Sequence, residues 1–374
     1  MIKVGIIGCG KIADEHAAII QGISDCEIVG VCDREKLMAK QLYERFKVGQ
    51  YFDDINILLE KVNPDIVHIT TPAQSHFELG KICLEAGCHV YIEKPFMLDT
   101  HETEAIVKLA MERNLKITAG HDDQFTNAAR RMRKLINSGY LGGDPVHMES
   151  YYCYDLSDAS YAKAILGDKD HFVRQLPGKL LHNIISHGIS RIAEFLKSEN
   201  PDVIAHGFTS TFLKNIGITD IVDELRVIIS EDDQTTAYFT VSTQMRPLLK
   251  HFRIYGPRNA LFMDHDNQTV VQVNGSKYKS YLDKFIPPLV FARQYAGNSI
   301  NNFYSFLKSD FHIKSGMRHL IESFYSSVRK GAPLPISYRE IILTSKIMDK
   351  IFTQINSQQL RGSQGNGHRK LPNR

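Results

Sequence analysis

Near the start of the chain lies a glycine turn, Gly8-Cys9-Gly10-Lys11-Ile12-Ala13, of the form G-x-G-x-x-A. The first glycine permits a tight turn, the second lets the backbone approach a pyrophosphate, and Ala13 permits close helix–strand contact. The backbone of Lys11 and Ile12 opens the helix that follows. Its free N–H groups and positive dipole end suit a phosphate. Asp33 ends the second apolar run, 25 residues beyond Gly8. A carboxylate there accepts hydrogen bonds from ribose hydroxyls. Turn and acid together point to a dinucleotide, with NAD favoured because a 2′-phosphate would meet the Asp33 charge. Arg34 could neutralise such a phosphate, so NADP stays open; its plainer reading is a solvated side chain at a helix start.

A second group closes later apolar runs. Thr71-Pro72 and His76 follow the fourth run, and Glu93-Lys94-Pro95 the fifth. Ligands of open parallel sheets bind beyond the carboxyl ends of the strands. That places Thr71, Pro72, His76, Glu93 and Lys94 at the cofactor and Lys94 where it would meet a substrate oxygen. A surface lysine and a helix-start histidine are the competing readings. Further on, Asn183, His187 and Ser190 are spaced by four and three, which puts them on one helical face. His182 points elsewhere. His187 is the general-base candidate because imidazole titrates near neutrality, against the plainer reading of a structural histidine. Tyr152, Arg174 and Lys179 are candidates for substrate contacts. The two cations would meet an anionic group, or else are solvated surface charges.

The elements that position these residues alternate at first. Apolar runs at 3–7, 27–32, 65–71, 89–93 and 115–119 are separated by helical patterns at 11–21, 35–46, 55–62 and 100–113, with another helix opening at Ser75. Ser75 and Glu78 have the S-x-x-E spacing of a capping box, and Gly87 suits the helix end. Continuous apolar strands between helices predict a doubly wound parallel sheet. Beyond Gly120 the pattern changes. Helices are expected at 127–138, 180–196, 317–329 and 338–355. Strands are expected at 146–154 and repeatedly from 203 to 273, with the Asp232-Asp233 turn between two of them. Short polar turns between consecutive strands predict an antiparallel, hairpin-rich sheet. The expected division is residues 1–121, 122–360 and a basic tail, 361–374.

Of the 374 residues 43% are hydrophobic and 23% charged, with formal charge +3. The tail RGSQGNGHRKLPNR holds three Arg and one Lys and no acid, so the rest sums to about −1. A near-neutral body argues against a nucleic-acid-binding face, and the tail's polar composition reads as disordered. The six cysteines have no C-x-x-C spacing, so no zinc motif is expected. A reducing cytoplasm fits them better than a disulfide framework. The opening MIKVGIIGCG is not a signal peptide, and no apolar run reaches the length of a membrane helix.

VGIIGCGKIA, TPAQSH, AGCHVYIEKPF, LINSGYLG and GKLLHNIISHGISRIAEFL together resemble the Gfo/Idh/MocA oxidoreductases, from Met1 to about Ile355. The resemblance implies an N-terminal Rossmann domain and a C-terminal α+β domain with an open, mostly antiparallel sheet. It also implies a homodimer or homotetramer formed through that sheet. The implied chemistry is hydride transfer between a nicotinamide and a hydroxyl-bearing carbon of a sugar, cyclitol or sugar nucleotide. Lys94 is similar to the lysine that orients the reacting hydroxyl, and His187 matches the general acid/base. Many members carry Asp where this chain has Asn183 and Ser190, and Arg-Phe where it has Gln124-Phe125. Asn183 can hydrogen-bond a hydroxyl but cannot take its proton. Two rival readings use the same scaffold: a redox-neutral NAD-dependent glycosidase or lyase, and a non-catalytic nucleotide-binding regulator.

Overall fold

The computed structural model describes residues 1–231, 234–275, 278–311 and 314–365. The chain divides into two compact units, residues 1–130 with 302–345, and residues 131–301 with 346 onward. The sequence reading kept everything from 122 to 360 together. The structure instead returns 302–345 to the first unit, because Met317, Leu320, Ile321 and Phe324 bury their side chains in its core.

The first unit runs β1 (Ile2–Ile7), α1 (Lys11–Gln21), β2 (Cys26–Cys32), α2 (Lys36–Phe46), β3 (Tyr51–Phe52), α3 (Ile55–Val62), β4 (Ile66–Ile69), α4 (His76–Glu85), β5 (His89–Ile92), α5 (Thr100–Glu112) and β6 (Ile117–Ala119). All strand pairs are parallel, in the order β3-β2-β1-β4-β5-β6. The order reverses between β1 and β4, the switch point where such sheets bind ligands. β4 is buried at every position, as expected of a strand covered on both faces. Strand β3, only two residues long, lay below what apolar patterning could reveal.

α6 (Asn127–Asn137) leads to the second unit: β7 (His147–Tyr152), α7 (Ala159–Leu166), α8 (Phe172–Gln175), α9 (Lys179–Ile184), α10 (Ser186–Ala193), β8 (Asp202–Phe208), α11 (Thr211–Asn215), β9 (Glu224–Glu231), β10 (Thr235–Ser242), β11 (Lys250–Tyr255), β12 (Asn259–Asp264) and β13 (Thr269–Asn274). Then follow α12 (Leu282–Leu307), α13 (Ser315–Lys330) and α14 (Tyr338–Gly365). The seven strands order as β13-β12-β11-β7-β10-β9-β8. Every pair is antiparallel except β7 with β10.

Both edges of this sheet are blunted by side-chain amides. On β13, Asn298 of α12 accepts from Val270 N–H and donates to its carbonyl, both at 3.0 Å. Gln294 does the same to Gln272 at 2.7 and 2.9 Å. On β8, Gln354 of α14 accepts from Ala205 N–H at 2.9 Å and donates to the Val203 carbonyl at 2.7 Å. Gln358 pairs with Gly207 and Ala205 in the same way. Carboxamides thus take the place of a further strand, which removes the templating hazard of an open edge.

Four sequence expectations are corrected. Ser75 makes no capping bond, because a 3-10 turn over 73–75 leaves it helical; its hydroxyl donates to Thr71 Oγ1 at 2.8 Å instead. The helix expected over 180–196 is two, α9 and α10, meeting at Ile185. The 26-residue α12 was unforeseen because Pro287-Pro288 lies inside it and reads as a breaker. The last helix reaches Gly365 rather than Ile355. The Asp232-Asp233 turn and residues 366–374 of the tail lie outside the described residues.

Candidate functional site

The carboxyl edge of the parallel sheet gathers the first group. Ile7 pairs with Cys32 on one side and Ile69 on the other, and Ile69 pairs with Ile92. Gly8, Asp33, Thr70 and Glu93 therefore leave the sheet at one level, with Thr71 and Lys94 one residue further on. Gly8 has φ +90, and a Cβ there would fall 2.6 Å from Thr71 Cγ2. Gly10 is the opposite case: a Cβ there would meet nothing within 4 Å. The N-terminus of α1 beyond it carries no side-chain cap, so no capping side chain competes there with a ligand. Asp33 accepts the Cys9 N–H at 2.7 Å and the Glu35 N–H at 2.9 Å, holding the turn against the end of β2. Lys11 and Arg34 are exposed and Ile12 half-buried. An open, uncapped turn with a carboxylate beside it fits a dinucleotide.

His76 is buried at the start of α4. One ring nitrogen lies 2.8 Å from the Thr71 carbonyl, the other 3.0 Å from the Pro95 and Phe96 carbonyls. It ties the loop after β4 to the loop after β5, behind Thr71 and exposed Pro72. Burial pushes its pKa down although the carbonyls favour protonation. Glu93 is buried as well, so it too stands behind the edge; its carboxylate accepts the Lys94 N–H at 3.1 Å. Lys94 itself is half-buried.

In the second unit, the ring of His187 on α10 stacks on Tyr152 of β7, centroids 5.0 Å apart and 16° from parallel. Ser150 of the same strand donates to the Gly188 carbonyl at 3.1 Å. A Cβ at Gly188 would sit 2.2 Å from Phe239, so only glycine lets α10 lie this close to the sheet. Asn183 and His187 are both half-buried, while Ser190 is buried and donates to the His187 carbonyl at 3.3 Å. His182 points away as the spacing required, stacking on Phe352. Arg174 and Lys179 converge on one carboxylate, Asp220, at 2.8 and 2.9 Å. Their partner in the fold is thus an acid of the chain itself.

Residues 2–121 match the family model for the Gfo/Idh/MocA oxidoreductases, described as an oxidoreductase family with an NAD-binding Rossmann fold. The first third of the chain is thus similar to the Rossmann domain of this family. A D-glucoside 3-dehydrogenase of Escherichia coli is 31% identical over 38% of this chain and 40% of that protein. A UDP-N-acetylglucosamine 3-dehydrogenase of Acidithiobacillus ferrooxidans is 26% identical over 72% of this chain and 76% of that one. Among solved structures, an NAD-binding oxidoreductase from Klebsiella pneumoniae superposes with TM-score 0.77 at 16% identity, covering 96% of this chain and 97% of that one. The matched region is of the NAD-binding Rossmann kind, and no helix among the described residues is long and apolar enough to cross a membrane.

Sequence reasoning missed one set of residues in the first unit. His16, His68, Tyr91 and Tyr325 are all buried around Glu93. The one signal was His16 standing within the apolar stripe of its helix.

Proposed function

We propose that this chain is a dehydrogenase that oxidises a secondary hydroxyl of a sugar, cyclitol or sugar nucleotide, with NAD rather than NADP as its preferred cofactor. The observation that carries the reading is the open turn at Gly10 on the same sheet edge as Lys94. When bound, the dinucleotide supplies the hydride acceptor. The N–H groups around Gly10, Lys11 and Ile12 hold its diphosphate, and Gly8 shapes the turn. Asp33 meets the adenosine ribose, with Arg34 exposed beside it. Thr71, Pro72 and Lys94 border its reactive end, with His76 and Glu93 supporting them from behind.

Lys94 donates to the substrate oxygen, and His187 takes the hydroxyl proton. Tyr152 fixes the plane of that imidazole, and the Asn183 amide hydrogen-bonds a neighbouring hydroxyl. Arg174 and Lys179 meet an anionic substrate group only by sharing their charge with Asp220. The sugar and sugar-nucleotide dehydrogenases among the relatives support the substrate class. Six free cysteines suit a reducing compartment, the cytoplasm.

The outer face of the second sheet supports a homodimer or homotetramer. Ile204 pairs with Ile228 and Ile228 with Tyr238, forming a cross-strand row whose three side chains are exposed. Such an apolar row on an outer face marks an interface, formed face to face because both edges are covered.

Calorimetry with NAD and NADP, followed by absorbance of NADH during incubation with UDP-N-acetylglucosamine, myo-inositol and methyl glucoside, tests the reading. Tighter binding of NAD and net NADH with one of the three are expected. Absence of affinity for either dinucleotide sinks it.

A further inference from the structure

Four buried side chains from four separate segments form a single file in the first unit. Tyr325 Oη of α13 lies 2.9 Å from His68 Nε2 on β4. His68 Nδ1 lies 2.8 Å from His16 Nδ1 on α1. His16 Nε2 lies 3.0 Å from Glu93 Oε1 at the end of β5. Glu93 Oε2 accepts the Lys94 N–H. The faces are packed as closely as the ends: His68 stacks on Tyr91 at 4.7 Å and 5°, and both His68 and Tyr91 meet His16 edge-on.

The order of protons along this file follows from counting donors. Tyr325 has His68 as its hydrogen-bond partner among the described residues, and a buried hydroxyl proton needs an acceptor. Tyr325 therefore donates, and His68 Nε2 accepts. Burial, reinforced by His16, pushes the His68 pKa well down, so the ring carries one proton, which must sit on Nδ1. That proton goes to His16 Nδ1, and the His16 proton is left on Nε2, aimed at Glu93. Every proton points the same way, and both Glu93 oxygens are occupied as acceptors. Protonating Glu93 would turn one of those oxygens into a donor and break either the His16 bond or the Lys94 bond.

We propose that His16, His68 and Tyr325 are positioning residues for the oxidation: their directed file keeps the Glu93 carboxylate turned to the Lys94 backbone and so fixes the root of Lys94. This rests on the dehydrogenase reading above. Burial by itself would push the Glu93 carboxyl up, but the His16 hydrogen bond, the Lys94 ammonium and the Lys94 backbone N–H outweigh it and hold it below its usual value. The other groups facing Glu93 are His76 from α4, Tyr91 from β5, and His121 and Asp122 after β6. Asp122 opposes ionisation of Glu93, and burial keeps His121 uncharged by pushing it down to about 4. The His16 bond is thus the largest influence favouring the carboxylate.

The test has two arms on the NAD-bound protein. Nitrogen-15 NMR of labelled histidines should show His16 protonated on Nε2 and His68 on Nδ1 at neutral pH. A His68 proton on Nε2 overturns the file. In the second arm, the pH profile of kcat/KM is measured with UDP-N-acetylglucosamine or myo-inositol, whichever turns over. His16→Leu leaves Glu93 buried without its main support, so the acid limb should move to higher pH by about one unit or more. His16→Gln, whose amide can donate to Glu93, should restore most of the shift. His16→Leu that binds NAD with unchanged affinity and keeps the original profile overturns the proposal. If His16→Leu does not fold, Tyr325→Phe, which removes one hydroxyl, carries the test. Glu93 still takes the His16 Nε2 proton, so His68 should keep its proton on Nδ1, and a His68 proton found on Nε2 overturns the donor order. Failure of the dehydrogenase reading shows separately, as wild-type protein without dinucleotide affinity.

Discussion

Gly8 and Thr71 are packed so closely that a Cβ on Gly8 would lie 2.6 Å from Thr71 Cγ2 and 2.8 Å from the Thr71 backbone nitrogen. Two strands meet there at the switch point, and neither can withdraw without tearing the sheet. Gly10, two residues on, faces open space and has φ −77, which any residue adopts.

The two glycines should therefore fail differently. Gly8→Ala combines a left-handed backbone with a clash and should lower stability by roughly 2–4 kcal/mol, read as a fall in the thermal midpoint. Gly10→Ala should melt within a degree or two of the wild type yet weaken NAD binding by about tenfold or more, the equivalent of one lost phosphate contact. Equal losses of stability would show that the Gly10 turn is structural only.

Asp33 holds the Cys9 N–H, and in the proposed function it also faces the ribose. Asp33→Ala should weaken NAD by about 10- to 100-fold, the scale of one or two charge-assisted hydrogen bonds. NADP should suffer less, because the variant also loses the charge that repels a 2′-phosphate. Calorimetry with both dinucleotides checks this. An unchanged NAD-to-NADP ratio would remove Asp33 from cofactor choice.

His187 is half-buried and stacked, so its loss should spare the fold. His187→Ala should reduce kcat by roughly 10²–10⁴-fold, the usual contribution of a general base, with a thermal midpoint close to wild type. Near-normal turnover would take His187 out of the reaction.

The sheet-edge carboxamides should matter for stability and solubility but not for chemistry. Gln354→Leu leaves the Ala205 N–H and the Val203 carbonyl of β8 without their partner. A loss of about 1–3 kcal/mol is expected, the cost of unmet backbone groups, together with faster aggregation on heating. Denaturant unfolding and light scattering measure the two effects.

The thiols should be slow. Burial, with Asp33 nearby, pushes the Cys9 thiol far above its usual range and Cys32 up to about 12. Burial raises Cys26 as well, but it is only half-buried and has Arg329 beside it to oppose the rise. Titration of native protein with a thiol reagent should label Cys26 first and leave Cys9 and Cys32 unmodified until unfolding. Early labelling of Cys9 would mean that the glycine turn opens readily.

The chain's order of residues determined by itself whatever depends on neighbours in sequence. The apolar runs from Ile2 to Ala119 specified a parallel sheet because strands covered on both faces need no alternation. Gly8 and Gly10 marked the turn after β1, and Asp33 the end of β2, because those signals are local, and the helical angles of Ile185 carry the chain from Asn183 to His187 without a bend. Tertiary structure alone decided the rest. Pro287-Pro288 hid α12, which holds the sheet edge through Asn298 and Gln294 rather than through an apolar face. The return of 302–345 to the first unit depends on burial of Phe324 and Tyr325 in a core assembled some three hundred residues earlier. The file from Tyr325 to Glu93 joins four distant segments. No local pattern can announce it, because the donor order exists only once burial has removed water as an alternative partner.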